Sequence, residues 1–296
     1  MTADEVLERL AVHSWRGPFE PVLQARAAEA LEDGKVLVLP SLPFAIAPDE
    51  TRLLDPATLG EHGKNVSLDP QTHRLSHTAV PAADAALLTG MMQRFADAAL
   101  ALLSDLLPRY SAQLERARTS FRPAEIEQRV YSPRRDDRRL HIDAFPTRPL
   151  AGRRILRVFC NVAPDGAPRE WLIGEPFIDY AQTLLPRVKT AVPGSAWLRQ
   201  QVGLTKGRRG RYDHIMLGMH DAGKFDAAYQ AHAPRAAVSF PAGTTWICFT
   251  DQVVHAALAG HCALEQTFHL PVAAMLHPER SPLRVLEQMT GRRLAV

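Results

Sequence analysis

Cysteine and lysine are both scarce in this chain, and each shortage narrows what the protein is. Cysteine occurs three times, at Cys160, Cys248 and Cys262. Their spacing matches no metal knuckle, and each lies in an apolar, strand-like run. They read as buried free thiols of a reducing compartment, which excludes a disulfide-built fold. Lysine occurs five times against thirty arginines. The basic residues gather in two clusters, Arg134-Arg135-Asp136-Asp137-Arg138-Arg139 and Lys206-Gly207-Arg208-Arg209-Gly210-Arg211. Neither interleaves aromatic residues, so nucleic acid is not the expected partner. They read first as solvated loops and second as contacts for an anionic sugar, phosphate or membrane surface. No apolar run reaches about 18 residues, the length that marks a membrane span. The first twelve residues are acidic and amphipathic, without the basic start and apolar core of a secretory signal. Internal repeats and low-complexity tracts are also lacking. The expectation is a cytoplasmic globular protein, for which 46% hydrophobic and 23% charged residues are ordinary proportions.

The 296 residues are expected to form a single catalytic domain. Residues 1–120 read as mostly helical, with helices at Val6 to Leu10, Phe19 to Leu31 and Ala82 to Ala117, the last broken near Pro108. Gly34 is the expected stop of the second helix, and Lys35 to Pro40 reads as a strand. Pro48 to His77 is loop-like. From residue 121 the texture changes to about eight short strands: EIEQRVY, RLHIDAF, RRILRVFCNV, REWLIGEPF, DHIMLGMHD, AAVSF, TTWICFTD, VVHAAL and ALEQTFHL supply them. Helices are expected near Phe177 to Leu185, Phe225 to His232 and Pro282 to Met289. The predicted class is α+β with a mainly β core, a jelly-roll or cupin-like double-stranded β-helix braced on one face by the N-terminal helices.

Within that core, Leu140-His141-Ile142-Asp143-Ala144 carries the first chemistry. On a strand, His141 and Asp143 point to one side. A neutral imidazole beside a carboxylate supplies two ligands of the 2-His-1-carboxylate triad that holds Fe(II) with positions left open. A third ligand must come from a later strand, and the candidates are His214, His220, His232, His255, His261 and His269. His232 and His261 are placed in exposed segments, His214 and His220 on one face of a strand, and His269 in the core. His255 follows a turn into an apolar strand and has small neighbours, Ala256 and Ala257, so it is chosen. Three open iron positions suit a bidentate 2-oxo acid plus dioxygen. The far carboxylate of 2-oxoglutarate needs a buried cation. Arg157, in the middle of Ile155-Leu156-Arg157-Val158-Phe159, is the candidate, with Asn161 on the same face as a second donor. The alternative is that Arg157 pairs with a protein carboxylate.

The run HIDAFPTRPLAGRRILRVFCNV, then PREWLIGEPF, DHIMLGMHDAGKFD and FPAGTTWICFTDQVVHAALAGHCALEQTFHLP, resembles the bacterial Kdo hydroxylases, which are Fe(II)- and 2-oxoglutarate-dependent dioxygenases acting on 3-deoxy-D-manno-oct-2-ulosonic acid (Kdo). The resemblance covers residues 120 to 290 closely and the helical part more loosely. It implies a double-stranded β-helix with His141, Asp143 and His255 as iron ligands and Arg157 in place of the wider superfamily's late-strand arginine. It implies Fe(II), 2-oxoglutarate and O2 as cofactor and co-substrates. The implied reaction is hydroxylation at C3 of a Kdo sugar of lipopolysaccharide or lipid A, with release of succinate and CO2. Arg122, Arg169 and Trp171 then become candidate substrate contacts, two cations and an aromatic platform for an acidic sugar. A peripheral contact with the inner membrane follows from a lipid-borne acceptor, and no obligate protein partner is evident. The rivals are an iron dioxygenase for another small molecule or peptide, a zinc hydrolase on the same ligands, and a non-catalytic cupin-like sugar-binding protein.

Overall fold

The computed structural model describes residues 1–61, 63–127, 131–189, 207 and 209–295. Eleven strands run through them: β1 (Leu7–Arg9), β2 (Val36–Leu39), β3 (Val66–Leu68), β4 (Leu75–Ser76), β5 (Glu115–Arg122), β6 (Arg154–Asn161), β7 (Arg169–Gly174), β8 (Arg235–Phe240), β9 (Thr245–Phe249), β10 (His255–Ala259) and β11 (Ala263–Leu270). They form a large mixed sheet in the order β1-β2-β9-β6-β11-β5-β3-β4 and a small one in the order β10-β7-β8. Only β1 and β2 pair in parallel; every other pair is antiparallel.

The period of two in the sequence decides what each face does. On β6, Leu156, Val158 and Cys160 join the core beneath the N-terminal helices, while Arg157 and Phe159 turn to the other side. On β11, Leu264 and Phe268 face that core and Glu265 does not; on β5, Phe121 does and Arg122 does not. The helical side is closed by Ala82–Leu106, whose Leu88, Met91, Met92, Phe95, Ala99, Leu102, Leu103 and Leu106 are fully buried. By length and composition this helix is apolar enough to cross a membrane, yet its apolar stripe is spent on the sheet. Between the two sheets lies a second, aromatic core of Phe159 and Trp246 from the large sheet and Trp171 and Phe240 from the small one.

Several expectations change. Residues 3–10 form a helix only over Ala3–Val6, and Leu7–Arg9 is pulled into β1 by pairing with β2. The expected long helix ends at Leu106, with a single turn at Pro108–Ser111, and Glu115–Arg122 is a strand, because Phe121 and Thr119 pair with β3 and β11. The span from 48 to 77 holds two 3-10 helices and β3 and β4. DHIMLGMHD is a helix, Arg211–Phe225: its buried residues Tyr212, Met216, Met219, His220 and Gly223 recur every three and four, a period the nine-residue window was too short to separate from alternation. Within EIEQRVY, residues 125–127 are not a strand and 128–130 lie outside the described residues. The helices Pro21–Glu32, Phe177–Leu184, Ala227–His232 and Pro282–Thr290 fall where the sequence puts them. Gly34 adopts a left-handed φ of 82° just past the first of these, as a helix stop requires.

Candidate metal centre

The segment around His141 is not a strand; it touches the small sheet through one bridge. His141 N–H donates to the His255 carbonyl at 3.0 Å, and His255 N–H donates to the His141 carbonyl at 2.8 Å. Such a mutually bonded pair sets two side chains directly across from one another. The imidazole centroids are 4.6 Å apart. Asp143 is held by its own backbone N–H, which donates to the Thr250 carbonyl at 2.8 Å. The result is that one ligand atom from each of His141, Asp143 and His255 lies within 4.8 Å of the others.

The rings are also oriented. His141 Nδ1 lies 2.7 Å from the Arg139 carbonyl, and His255 Nδ1 lies 2.9 Å from the Val253 carbonyl. A carbonyl only accepts, so both Nδ1 atoms carry the proton and both Nε2 atoms present a lone pair. Burial lowers the pKa of both imidazoles; at His141 the positive charges of His255 and Lys224 lower it further. For Asp143, burial works to raise the pKa, but the Arg157 guanidinium and the two imidazoles outweigh it and hold the carboxyl below its ordinary range. Two neutral imidazoles and one carboxylate are the donor set of the triad, with both histidines fixed by outer hydrogen bonds. The donor set fits a divalent iron.

These groups form the floor of a cavity of about 170 Å³. Its walls carry four cations, Lys64, Arg122, Arg157 and Arg169, and three carboxylates, Asp137, Asp143 and Glu265. Phe159, Trp171, Ala257 and Ala263 complete the lining. Arg157 places Nη2 3.1 Å from Asp143 Oδ2 and Nη1 3.1 Å from Glu265 Oε1. Arg122 grips Glu265 Oε2 from Nε (3.2 Å) and Nη2 (2.9 Å) and lies 3.5 Å from Asp137. Lys64 Nζ reaches Asp137 at 2.8 Å. Arg169 differs: it is 3% exposed, its Nη1 donates to the Gly260 carbonyl at 2.7 Å, its Nε has no partner, and no carboxylate among the described residues lies within ion-pair distance. Burial, then the positive charge of Arg122, disfavours its charged form. Among the described residues, the buried side-chain polar atoms without a hydrogen-bond partner include Arg157 Nε, Arg169 Nε and Trp171 Nε1 of this cavity, and Asp143 Oδ2, which has only its ion pair with Arg157. Orphaned polar groups in such number mark a place built for ligands.

The structure therefore brings His141, Asp143, His255, Arg122, Arg157, Arg169 and Trp171 together. It does not bring Asn161. That amide donates to the Ala167 and Phe240 carbonyls and accepts from Ala163 N–H, so it ties the β6–β7 turn and has nothing left for a ligand. Trp171 lines the cavity, but it is 4% exposed and its face is stacked on His255 at 5.2 Å, so it backs a ligand ring instead of offering an open sugar platform. Arg157 is in the arrangement the sequence left as the alternative, paired with protein carboxylates. His214 and His220 lie on the Arg211–Phe225 helix, not a strand; His220 stands edge-on to His141 at 5.6 Å. His232 is exposed, while His261, expected to be exposed, is half-buried between Glu125 and Asp165. In the first basic cluster Arg134 pairs with Asp221, Arg138 with Asp136, and Arg139 with the Lys224 carbonyl, while Arg134 and Arg135 stay exposed. Lys206 and Arg208 of the second lie outside the described residues. Sequence reading passed over Glu265, Lys64 and Asp137. A charged residue inside the apolar run ALEQTFHL was the signal available for Glu265.

The family model of 3-deoxy-D-manno-oct-2-ulosonic acid (Kdo) hydroxylase matches residues 14–293. Solved structures of the Kdo hydroxylase KdoO, described as a non-heme Fe(II) 2-oxoglutarate-dependent dioxygenase, are similar over 98% of this chain and 97% of theirs. The complex with 2-oxoglutarate and Fe(III) is 46% identical with a TM-score of 0.94. The apo form is 47% identical with a TM-score of 0.94, and the complex with succinate and Fe(III) is 46% identical at the same score. No curated protein matches the chain.

Proposed function

Because this chain belongs to the Kdo hydroxylase family, we propose that it is an Fe(II)- and 2-oxoglutarate-dependent dioxygenase that hydroxylates a Kdo sugar at C3. The observation that carries the reading is the convergence of two oriented Nε2 lone pairs and one ionised carboxylate on the floor of a cation-walled cavity. Iron bound there, with 2-oxoglutarate and dioxygen, supplies oxidative decarboxylation to succinate and CO2 coupled to hydroxylation of a C–H bond.

The chain's own residues have distinct tasks in this reading. His141, Asp143 and His255 hold the metal. The Arg139 and Val253 carbonyls fix the ring orientations and raise ligand basicity. Arg157, already engaged by Asp143 and Glu265, keeps the Asp143 carboxylate ionised and aimed. The distal carboxylate of 2-oxoglutarate falls to Arg169, the cavity arginine with no ion pair among the described residues, where it compensates a buried charge. Arg122 and Lys64, which also line a smaller recess with Tyr131 and Ile126, face the acidic sugar. A double-stranded β-helix is the finer fold reading. Its support is that β5, β11, β6 and β9 oppose β10, β7 and β8 across the aromatic core, with the His141 bridge as the last rung.

Anaerobic addition of Fe(II) and 2-oxoglutarate is expected to give a weak visible charge-transfer band that His255→Ala loses while staying folded. With oxygen and a Kdo-bearing acceptor, the product gains one oxygen atom and an equivalent of succinate appears. A folded protein that gives no band, yet binds Kdo, would overturn the iron assignment.

A further inference from the structure

Glu265 is the cavity group whose presence the metal and co-substrate do not explain. It is 3% exposed, sits on β11 between β5 and β6, and spans the gap from Arg122 to Arg157 with one oxygen on each. Neither arginine depends on it alone, since Arg157 also meets Asp143 and Arg122 also meets Asp137. Its effect is on the charge that the cavity shows to a ligand. Among the described residues, four cations and three carboxylates line the cavity, and Lys224, 3.7 Å from Asp137 Oδ1, adds a further buried cation beside it, so positive charge is in excess. Resting on the reading above, a divalent metal adds two positive charges and a dianionic 2-oxo acid offsets them, so an acidic sugar still meets an excess of cations.

We propose that Glu265 is a specificity-determining residue. Its carboxylate lowers the anion capacity of the cavity by one charge, and stops Arg122 and Arg157 from capturing a further anion such as succinate or sulfate. The recognition chemistry is therefore that of a sugar acid whose single carboxylate is neutralised inside the cavity beside Arg122. A neutral sugar leaves the site with an excess positive charge in a poorly solvated place, which is unfavourable.

The test is read in the metal-free protein, so an error in the iron reading does not move it. Succinate and sulfate binding are measured by calorimetry for the wild type and for Glu265→Gln. Removing a negative charge from a buried wall is expected to tighten binding roughly tenfold or more. A merely structural glutamate would give the opposite, weaker binding or none. Glu265→Gln combined with Arg122→Gln restores the charge count, and its affinity is expected back within about threefold of wild type. Unchanged or weakened anion binding in folded Glu265→Gln overturns the proposal. Should that variant not fold, Arg122→Gln alone lowers the count by one and is expected to weaken succinate binding by roughly tenfold; unchanged binding there overturns it equally.

Discussion

At the scale of single residues, an ion pair and a bare cation behave differently when a ligand arrives. Among the described residues Arg157 meets two carboxylates and Arg169 meets none, though both are buried in the same wall. Arg169→Gln is expected to raise the KM for 2-oxoglutarate at least about a hundredfold with a smaller change in kcat, because a charge-assisted contact made equally in ground and transition states is lost. Steady-state kinetics with varied 2-oxoglutarate checks this, and an unchanged KM moves the anchor elsewhere. His269 offers a pH test away from the centre. Burial, then the positive charge of Arg153, pushes its pKa down to about 4 from the ordinary 6.5. Between those values the unfolded chain takes up a proton that the folded protein refuses, so stability is full above pH 6.5 and is lost as the pH falls towards 4. The loss amounts to about 3 kcal/mol at most, and urea unfolding of His269→Gln should show a flatter pH dependence over that window. That His141, Asp143 and His255 come together was legible because His-x-Asp and a histidine with small neighbours are local patterns. Which arginine was free was not, since pairing depends on register between strands far apart in sequence.

At the scale of elements, β7 and β10 do most to hold the site. Register sets Ile173 opposite His255 and Trp171 opposite Ala257, which aims Arg169, Trp171 and His255 to one side. Gly174, the end of β7, donates its N–H to the Val254 carbonyl at 2.7 Å. A Cβ at that position would come within 2.6 Å of Val254 Cγ1. Gly174→Ala is thus expected to cost about 1–3 kcal/mol by overpacking. Because Val254 precedes His255, it should also weaken Co(II) binding, which titration of the visible cobalt bands would report; unaltered affinity would mean that the strand yields without disturbing its histidine. Short runs rich in apolar, β-branched and aromatic residues, such as β6 and β11, were readable from sequence. Glu115–Arg122 was not, because a short amphipathic stretch following a long helix carries no boundary signal until its partners β3 and β11 are known. The Arg211–Phe225 helix was misread for the converse reason: its small and polar residues, Gly218 and Gly223 among them, weaken the helical pattern.

At the scale of the whole molecule, two sheets and a helical brace must keep one rim of side chains in place. A fully buried ion pair ties the start of β6 to the turn that follows β9 in the large sheet: Arg154 Nε donates to Asp251 Oδ2 at 2.8 Å, Nη2 donates to Gln252 Oε1 at 2.6 Å, and the guanidinium lies 3.8 Å from the centre of the Phe249 ring. Asp251 Oδ1 also accepts from Ile155 N–H. Asp251→Ala leaves that cation uncompensated and is expected to cost roughly 3–5 kcal/mol, measurable as a lower urea midpoint; a change under about 1 kcal/mol would mean that water reaches the pair. The division into a helical first part and a strand-rich second part was legible in composition and periodicity. The sheet order was not, since β1, β2, β3 and β4 come from the first part and flank strands of the second. The aromatic core has an optical consequence. Two tryptophans belong to it, Trp171 stacked on His255 and Trp246 stacked on Phe240, with their rings 5.6 Å apart. An open-shell ion held by His255 would drain excited-state energy from Trp171 and, through it, from Trp246. The protein thus carries its own emission gauge of metal occupancy, readable without substrate, oxygen or label.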